Sequence, residues 1–259
     1  MNNAFYIGAT GMQSQQLQVE TIANNLANVN TPAFKKSSLH FSDLVSKTSV
    51  SQAVGSEGGI HNTSIGLGVR GIQGGRLFDS GELKQTGSSL DVAIQGEGML
   101  EVVLADGSLA YSRGASLKRS ADGLLTTQSG QVLRPEILIP ENAQALSIDS
   151  QGRIRVSLPG QTQQTELGQL ELVRFASPGA LTEIGANLYR PSQESGSPTA
   201  VRAGEDGAGN IVQGMLETSN VKMVDEMVSL MIAQRAYEAS VKAVQAADEM
   251  ASLINNLRK

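Results

Sequence analysis

The sequence predicts an α+β fold in which two terminal helices flank an antiparallel β body. Three observations carry this. Met12, Val19, Ile22, Leu26 and Val29 fall at steps of three, four or seven, which places them on one face of a helix. Met227, Leu230, Tyr237, Val241, Val244, Ala251 and Ile254 do the same near the other end. Between the two, short apolar runs are cut by glycine turns.

The first helix spans about residues 1–30 and stops at Asn30-Thr31-Pro32, because the residue before a proline is pushed out of the α region. Residues 1–34 hold one charged side chain, Glu20. The polar face is made of amides instead: Gln13, Gln15, Gln16, Gln18, Asn24, Asn25 and Asn28. Amides tolerate burial against other polypeptide, where they hydrogen-bond without the desolvation cost of a charge. The expectation is a helix buried in an assembly.

Residues 46–66 are rich in Ser, Gly and Thr and read either as a linker or as an extended hairpin arm. In the β body, Asp106-Gly107 and Asp122-Gly123 are two-residue hairpin signals, since glycine accepts positive φ. Expected strands are 90–95, 100–104, 109–112, 124–127, 137–139, 145–148, 154–158 and 170–175. Residues 221–257 form the second helix, with Glu238 and Lys242 at i, i+4 in the favourable order. Its natural partner is the first helix. Two paired helices still leave much of each stripe exposed, and bundling with further copies removes that cost.

Composition narrows the function. The chain has 259 residues, 17% of them charged and 3% aromatic, with a net charge of −5. No basic block stands out, which argues against nucleic acid as a partner. The chain holds no cysteine, so disulfides and thiolate metal sites are excluded. No charged n-region precedes an apolar stretch, and no run reaches the ~18–20 apolar residues of a membrane span.

Motifs of chemistry fail one by one. GLGVRG at 66–71 matches a dinucleotide fingerprint, but Ile72-Gln73-Gly74-Gly75 follows and starts a helix poorly, so glycines in a strand or arm are the better reading. His40 and His61 are the two histidines, and neither lies in a Ser-His-Asp arrangement or beside metal ligands. Asp225-Glu226 and Asp248-Glu249 sit on the second helix, where a solvated face is the ordinary explanation. The expectation is a protein that is not an enzyme and has no cofactor, no metal and no small-molecule substrate.

Two segments carry a family likeness. Ala23-Asn24-Asn25-Leu26-Ala27-Asn28, continuing through Thr31 to Phe34-Lys35, resembles the N-terminal signature of bacterial flagellar rod and hook proteins. Ser219-Asn220-Val221, with Glu226-Met227 and Gln234-Arg235-Ala236-Tyr237-Glu238, resembles their C-terminal signature. LDVAIQGEG, AYSRGAS, ADGLLTTQSGQVL and VQGMLETSN extend the match through the middle, and order and length are most similar to the distal-rod members. Ala33 stands where the pattern has glycine.

The resemblance implies a discontinuous coiled-coil pair formed by 1–34 and 220–259, making the inner coaxial tube. A connecting arm follows over 35–83, with a distal-rod insertion near 46–66, and 84–219 form the β-rich outer domain. It implies a structural axial subunit that self-assembles into the rigid distal rod, transmits torque from motor to hook and encloses the export channel. The implied partners are further copies of the chain, proximal-rod proteins, hook or hook-junction proteins, the peptidoglycan- and outer-membrane-ring bushing proteins, the rod assembly cap and the flagellar type III export apparatus. The implied location is the basal body, in a rod spanning the periplasm, reached without a cleaved signal peptide. The two apolar stripes are then the assembly seam. The near alternative is a proximal-rod or hook subunit, and the distant one a non-flagellar adaptor with a helical hairpin.

Overall fold

The computed structural model describes residues 2–49, 62–160 and 163–257. The chain opens with α1 (Asn2–Ala27), then β1 (Ser37–Ser49) and β2 (Asn62–Arg76). The β body follows as β3 (Leu83–Gln85), β4 (Asp91–Gln95), β5 (Met99–Val103), β6 (Leu109–Ser112), β7 (Gly114–Arg119), β8 (Leu125–Thr127) and β9 (Val132–Arg134). It continues through β10 (Ala145–Ile148), β11 (Arg153–Ser157), β12 (Thr165–Gln169), β13 (Glu171–Arg174), β14 (Thr182–Gly185), β15 (Leu188–Arg190), β16 (Thr199–Arg202), β17 (Asn210–Gln213) and β18 (Met215–Glu217). Helix α2 (Met223–Leu257) closes the chain.

These elements form two compact units. One, the helical unit, holds the described residues of Met1–Ala27, Ser37–Gly74 and Lys222–Lys259. The other, the β unit, holds Asn28–Lys36 and Gly75–Val221.

In the helical unit, α2 runs for 35 residues, about 50 Å at the usual rise of about 1.5 Å per residue. Asp225 and Glu226 lie in its first turn, where the helix dipole favours negative charge. Strands β1 and β2 hydrogen-bond to each other as a two-stranded sheet, and GLGVRG lies within β2. The middle of the Ser/Gly/Thr-rich stretch, 50–61, lies outside the described residues.

In the β unit, one sheet runs β14-β15-β6-β5-β9-β8-β7-β4-β17, and β13 joins β5 and carries β16. The paired strands of this body are antiparallel. A separate sheet β10-β11-β12 adds to it, and β18 pairs β3. The turns at Gly107 and Gly123 have φ of 78° and 81°, as their Asp-Gly sequences require. Val92, Ile94, Leu100, Val102, Leu125, Leu133, Ile154, Leu172 and Ile211 make up the heart of the aliphatic core.

Aromatic residues are few, and the fold concentrates them. Phe78 meets Tyr189 edge-on at 5.1 Å between ring centres, and Tyr111 meets Phe175 at 4.9 Å. Met99 fills the same cluster. One expected strand is corrected: 137–139 makes only a single bridge, Leu124 to Leu138. Ile137 and Ile139 are buried and Leu138 is exposed, so the alternation holds. Pro135 and Pro140 bracket the run and have no N–H to extend a ladder.

Candidate assembly interface

Helices α1 and α2 pack antiparallel. A methyl group at Gly8 would overlap Val244 Cγ2, and one at Gly11 would lie 3.5 Å from Ser240 Oγ. Toward the other end, Asn25 Nδ2 donates to Glu226 Oε2 at 3.4 Å. The stripe of α2 that is least exposed steps by seven: Glu226, Ala233, Ser240, Ala247. The small side chains of Ala233, Ser240 and Ala247 let the two backbones approach closely. Helix α1 is also covered from the β1–β2 side, where Ser14 Oγ donates to Val69 O at 3.3 Å.

This arrangement sorts the apolar residues singled out by spacing. Ile22 is buried, and Met12, Val19, Leu26, Val29, Leu230, Val241 and Val244 are half-buried. Met227, Tyr237 and Ile254 are exposed. The side chain of Ala251 lies outside the described set. Met223, Met227 and Met231 form one exposed row with a step of four, and Val224, Val228 and Ile232 form another. Val224 and Ile232 are 72% and 62% exposed. At the far end of the hairpin, Tyr6 and Ile7 on α1 and Met250, Leu253 and Ile254 on α2 are exposed as well. Scattered surface apolar residues are ordinary, but two adjacent rows of three mark an interaction surface.

The residues of the two terminal signatures are brought together within each unit. In the helical unit, Asn25 is buried; its Oδ1 accepts from Ser37 N at 2.9 Å, and its Nδ2 donates to Ser37 O at 3.1 Å as well as to Glu226. One amide thus ties the end of α1, the start of β1 and the first turn of α2. In the β unit, Asn220 N donates to Phe34 O at 3.3 Å, and Asn220 Oδ1 accepts from Lys36 N at 2.8 Å. Phe34 is buried beneath the Arg76 guanidinium, 4.7 Å from the ring centre. The other signature residues lie along the helices: Ala23, Asn24 and Ala27 exposed on α1, Gln234, Arg235 and Glu238 exposed on α2, Ala236 half-buried. Asn28 and Thr31 shape the turn after α1, where Thr31 N donates to Asn28 O at 3.1 Å. Ser219 Oγ accepts from Val221 N at 3.2 Å.

Whole-chain comparison decides the family. A flagellar basal-body rod protein FlgG of Bacillus subtilis is 37% identical over 267 residues, covering 100% of both chains. Those of Borreliella burgdorferi and Caulobacter vibrioides are each 38% identical, covering 100% and 98% of this chain. The chain belongs to the FlgG family of flagellar basal-body rod proteins.

A FlgF rod protein from Caulobacter vibrioides is 30% identical over the full length, below the FlgG relatives. Three family models match in order: flagella basal body rod protein at 5–35, flagellar hook protein FlgE/F/G D1 domain at 93–156, and flagellar basal body rod FlgEFG protein C-terminal at 212–257. Each of these FlgG-family segments supplies one member of a buried ionic cluster that the spacing arguments did not single out. Glu217 Oε1 accepts from Lys35 Nζ at 2.7 Å and from Gly81 N at 2.7 Å, and Glu217 Oε2 accepts from Arg113 Nε at 3.1 Å. The Lys35 and Glu217 side chains are 0% exposed. Burial pushes the Lys35 amine below its usual value, against the hydrogen bond and attraction of Glu217, and the nearby Arg113 adds to the lowering. The available signal was faint: Glu217 is a lone charge in the apolar-rich run VQGMLETSN.

Proposed function

We propose that this chain is a structural axial subunit of the distal rod of the bacterial flagellar basal body. It self-assembles into a rigid tube that transmits torque from motor to hook and encloses the export channel. The observation that carries this reading is the double row Met223, Val224, Met227, Val228, Met231 and Ile232, exposed in the single chain. Apolar surface removed from water gains about 25 cal/mol per Å², so covering such a row with further copies favours a polymer. The α1–α2 pair forms the coiled coil of the inner tube, with 35–83 as the connecting arm and the distal-rod insertion near 46–66. The β-rich 84–219 form the outer layer.

Membership in the FlgG family supports the distal position over a proximal-rod or hook position. The partners follow from that position: proximal-rod and hook or hook-junction proteins at the two ends, ring bushing proteins around the shaft, a rod cap at the growing tip and the flagellar type III export apparatus that delivers subunits without a cleaved signal. The test is genetic and structural. Cells carrying only Leu26→Asp or Val244→Asp should build basal bodies that stop before the distal rod, while the purified variants keep a folded β unit. Complete rods with either variant would contradict the assignment of these residues to the seam.

A further inference from the structure

The chain passes between its two units near residues 28, 36, 75 and 221. Three of these passages are hydrogen-bonded to one another inside the β unit. Lys36 N donates to Asn220 Oδ1 at 2.8 Å, Leu77 N to Lys36 O at 3.0 Å, and Asn220 Nδ2 to Leu77 O at 2.8 Å. Glu217 holds them from the interior. Its carboxylate takes donors from Lys35, Gly81 and Arg113, and its backbone carbonyl accepts from Ala33 N at 2.8 Å.

We propose that Glu217 is a positioning residue for assembly: it gathers the roots of the N- and C-terminal segments into one clamp, so that the end of α1 and the start of α2 lie side by side. Lys35 and Glu217 are 182 residues apart in sequence. Without a clamp, bringing the two segments together carries the closure entropy of that whole length. With it, helix pairing becomes a local event at the high effective concentration of a short tether.

The chemistry of the cluster fits a device for register better than one for bulk stability. Two cations share one carboxylate. Further N–H groups reach carbonyls and a hydroxyl: Lys35 Nζ to Asp79 O at 2.7 Å, Arg113 to Gly98 O at 2.6 Å, to Gly96 O and to Ser80 Oγ at 3.3 Å. Each partner sits on a different stretch of chain, and every hydrogen bond has a fixed direction. A buried ionic triad gives little net stability over apolar residues of the same volume; what apolar replacements would lack here is the set of directed hydrogen bonds between Glu217 and three stretches of chain. Loss of the Glu217 charge leaves two buried cations facing each other, so the clamp opens.

The inference deepens the rod reading, and its test does not depend on polymerisation. The chain has no cysteine, so spin labels at Ala27→Cys and Lys222→Cys, both exposed and both in the helical unit, report on the roots alone in dilute, monomeric full-length protein. The unsubstituted cluster should give one narrow distance distribution. Glu217→Gln should broaden it while the β unit keeps its near-ultraviolet circular dichroism, and should raise the concentration needed for polymerisation by about tenfold or more, the scale of effective-concentration effects. Because a single change can unfold the unit, the apolar triple variant Lys35→Met, Arg113→Met, Glu217→Leu is measured alongside; it should fold and still show the broad distribution. A narrow distribution in the triple variant, or a broadening in Glu217→Gln only where the β unit also melts, would overturn the proposal and leave Glu217 as ordinary interior glue.

Discussion

Gly8 of α1 lies directly against Val244 of α2, with no room for a methyl group between them. Valine has one strongly preferred side-chain rotamer in a helix, so it cannot swing aside cheaply. Gly8→Ala gains up to about 1 kcal/mol of helix propensity but forces an overlap of a kind that costs about 1–3 kcal/mol. The expected net result is a loss of helical-unit stability, reversed when Val244→Ala is added. Thermal melts of the two single variants and the double variant, followed by far-ultraviolet circular dichroism, measure the coupling.

Ala33 has φ of 58°, in the left-handed region, and its N–H is committed to Glu217 O. A β-carbon there costs roughly 1–2 kcal/mol, which glycine at the same position avoids. Ala33→Gly should therefore raise the stability of the β unit, less what glycine loses in the unfolded chain, for a net gain of about 1 kcal/mol. Denaturant midpoints at unchanged slope would record it.

Alkaline pH should unfold the β unit through its buried tyrosines. Burial pushes the hydroxyls of Tyr189 and Tyr111 up to about 12 from 10; Arg76 opposes the rise at Tyr189, and Glu101 adds to it at Tyr111. Between those values the unfolded chain releases its protons first and the native state binds more. The stability from these hydroxyls is thus complete below pH 10 and is lost as pH rises through about 12. For Tyr189, the more deeply enclosed of the two, the contribution is about 2–3 kcal/mol by linkage. Lys35 works in the opposite sense: its amine is lowered by burial, so its contribution grows as pH rises toward 10.5. Tyr189→Phe should flatten the decline above pH 10, read as denaturant stability against pH together with tyrosinate absorbance.

The exposed rows of α2 predict a surface phenotype. Met227→Lys with Ile232→Lys touches neither the Gly8–Val244 contact nor the Asn25–Glu226 hydrogen bond. The double variant should keep the monomer's helix content and melting temperature while failing to form sedimenting polymer at concentrations where the unsubstituted chain does.

Much of this architecture was legible in the sequence because it rests on short-range rules. Helical period marked α1 and α2, and the Asp-Gly pairs at 106–107 and 122–123 marked their turns. Short strands such as β14, β16 and β18 were not legible. The residues of β14 and β16 are mostly polar or exposed, and β18 has only three residues ending in a charged one, so pairing across the sheet, rather than local preference, makes them strands. Apolar spacing also conveyed that α2 has faces to bury, but not which neighbour each residue meets. Ala233 and Ala247 carry too little apolar weight to register in a periodic pattern, yet they are the residues buried within the single chain, while Met227 and Tyr237 remain exposed. Lys35, Arg113 and Glu217 were invisible as a group because only the folded chain brings two distant cations within 3.1 Å of one carboxylate.

The most direct measurement is an electron cryo-microscopy reconstruction of the polymer formed by the full-length chain. In it Val224, Met227, Val228, Met231 and Ile232 should be buried against helices of neighbouring copies, with the Gly8–Val244 contact kept inside each subunit. A polymer in which those side chains still face solvent, held together through the β units alone, would contradict it.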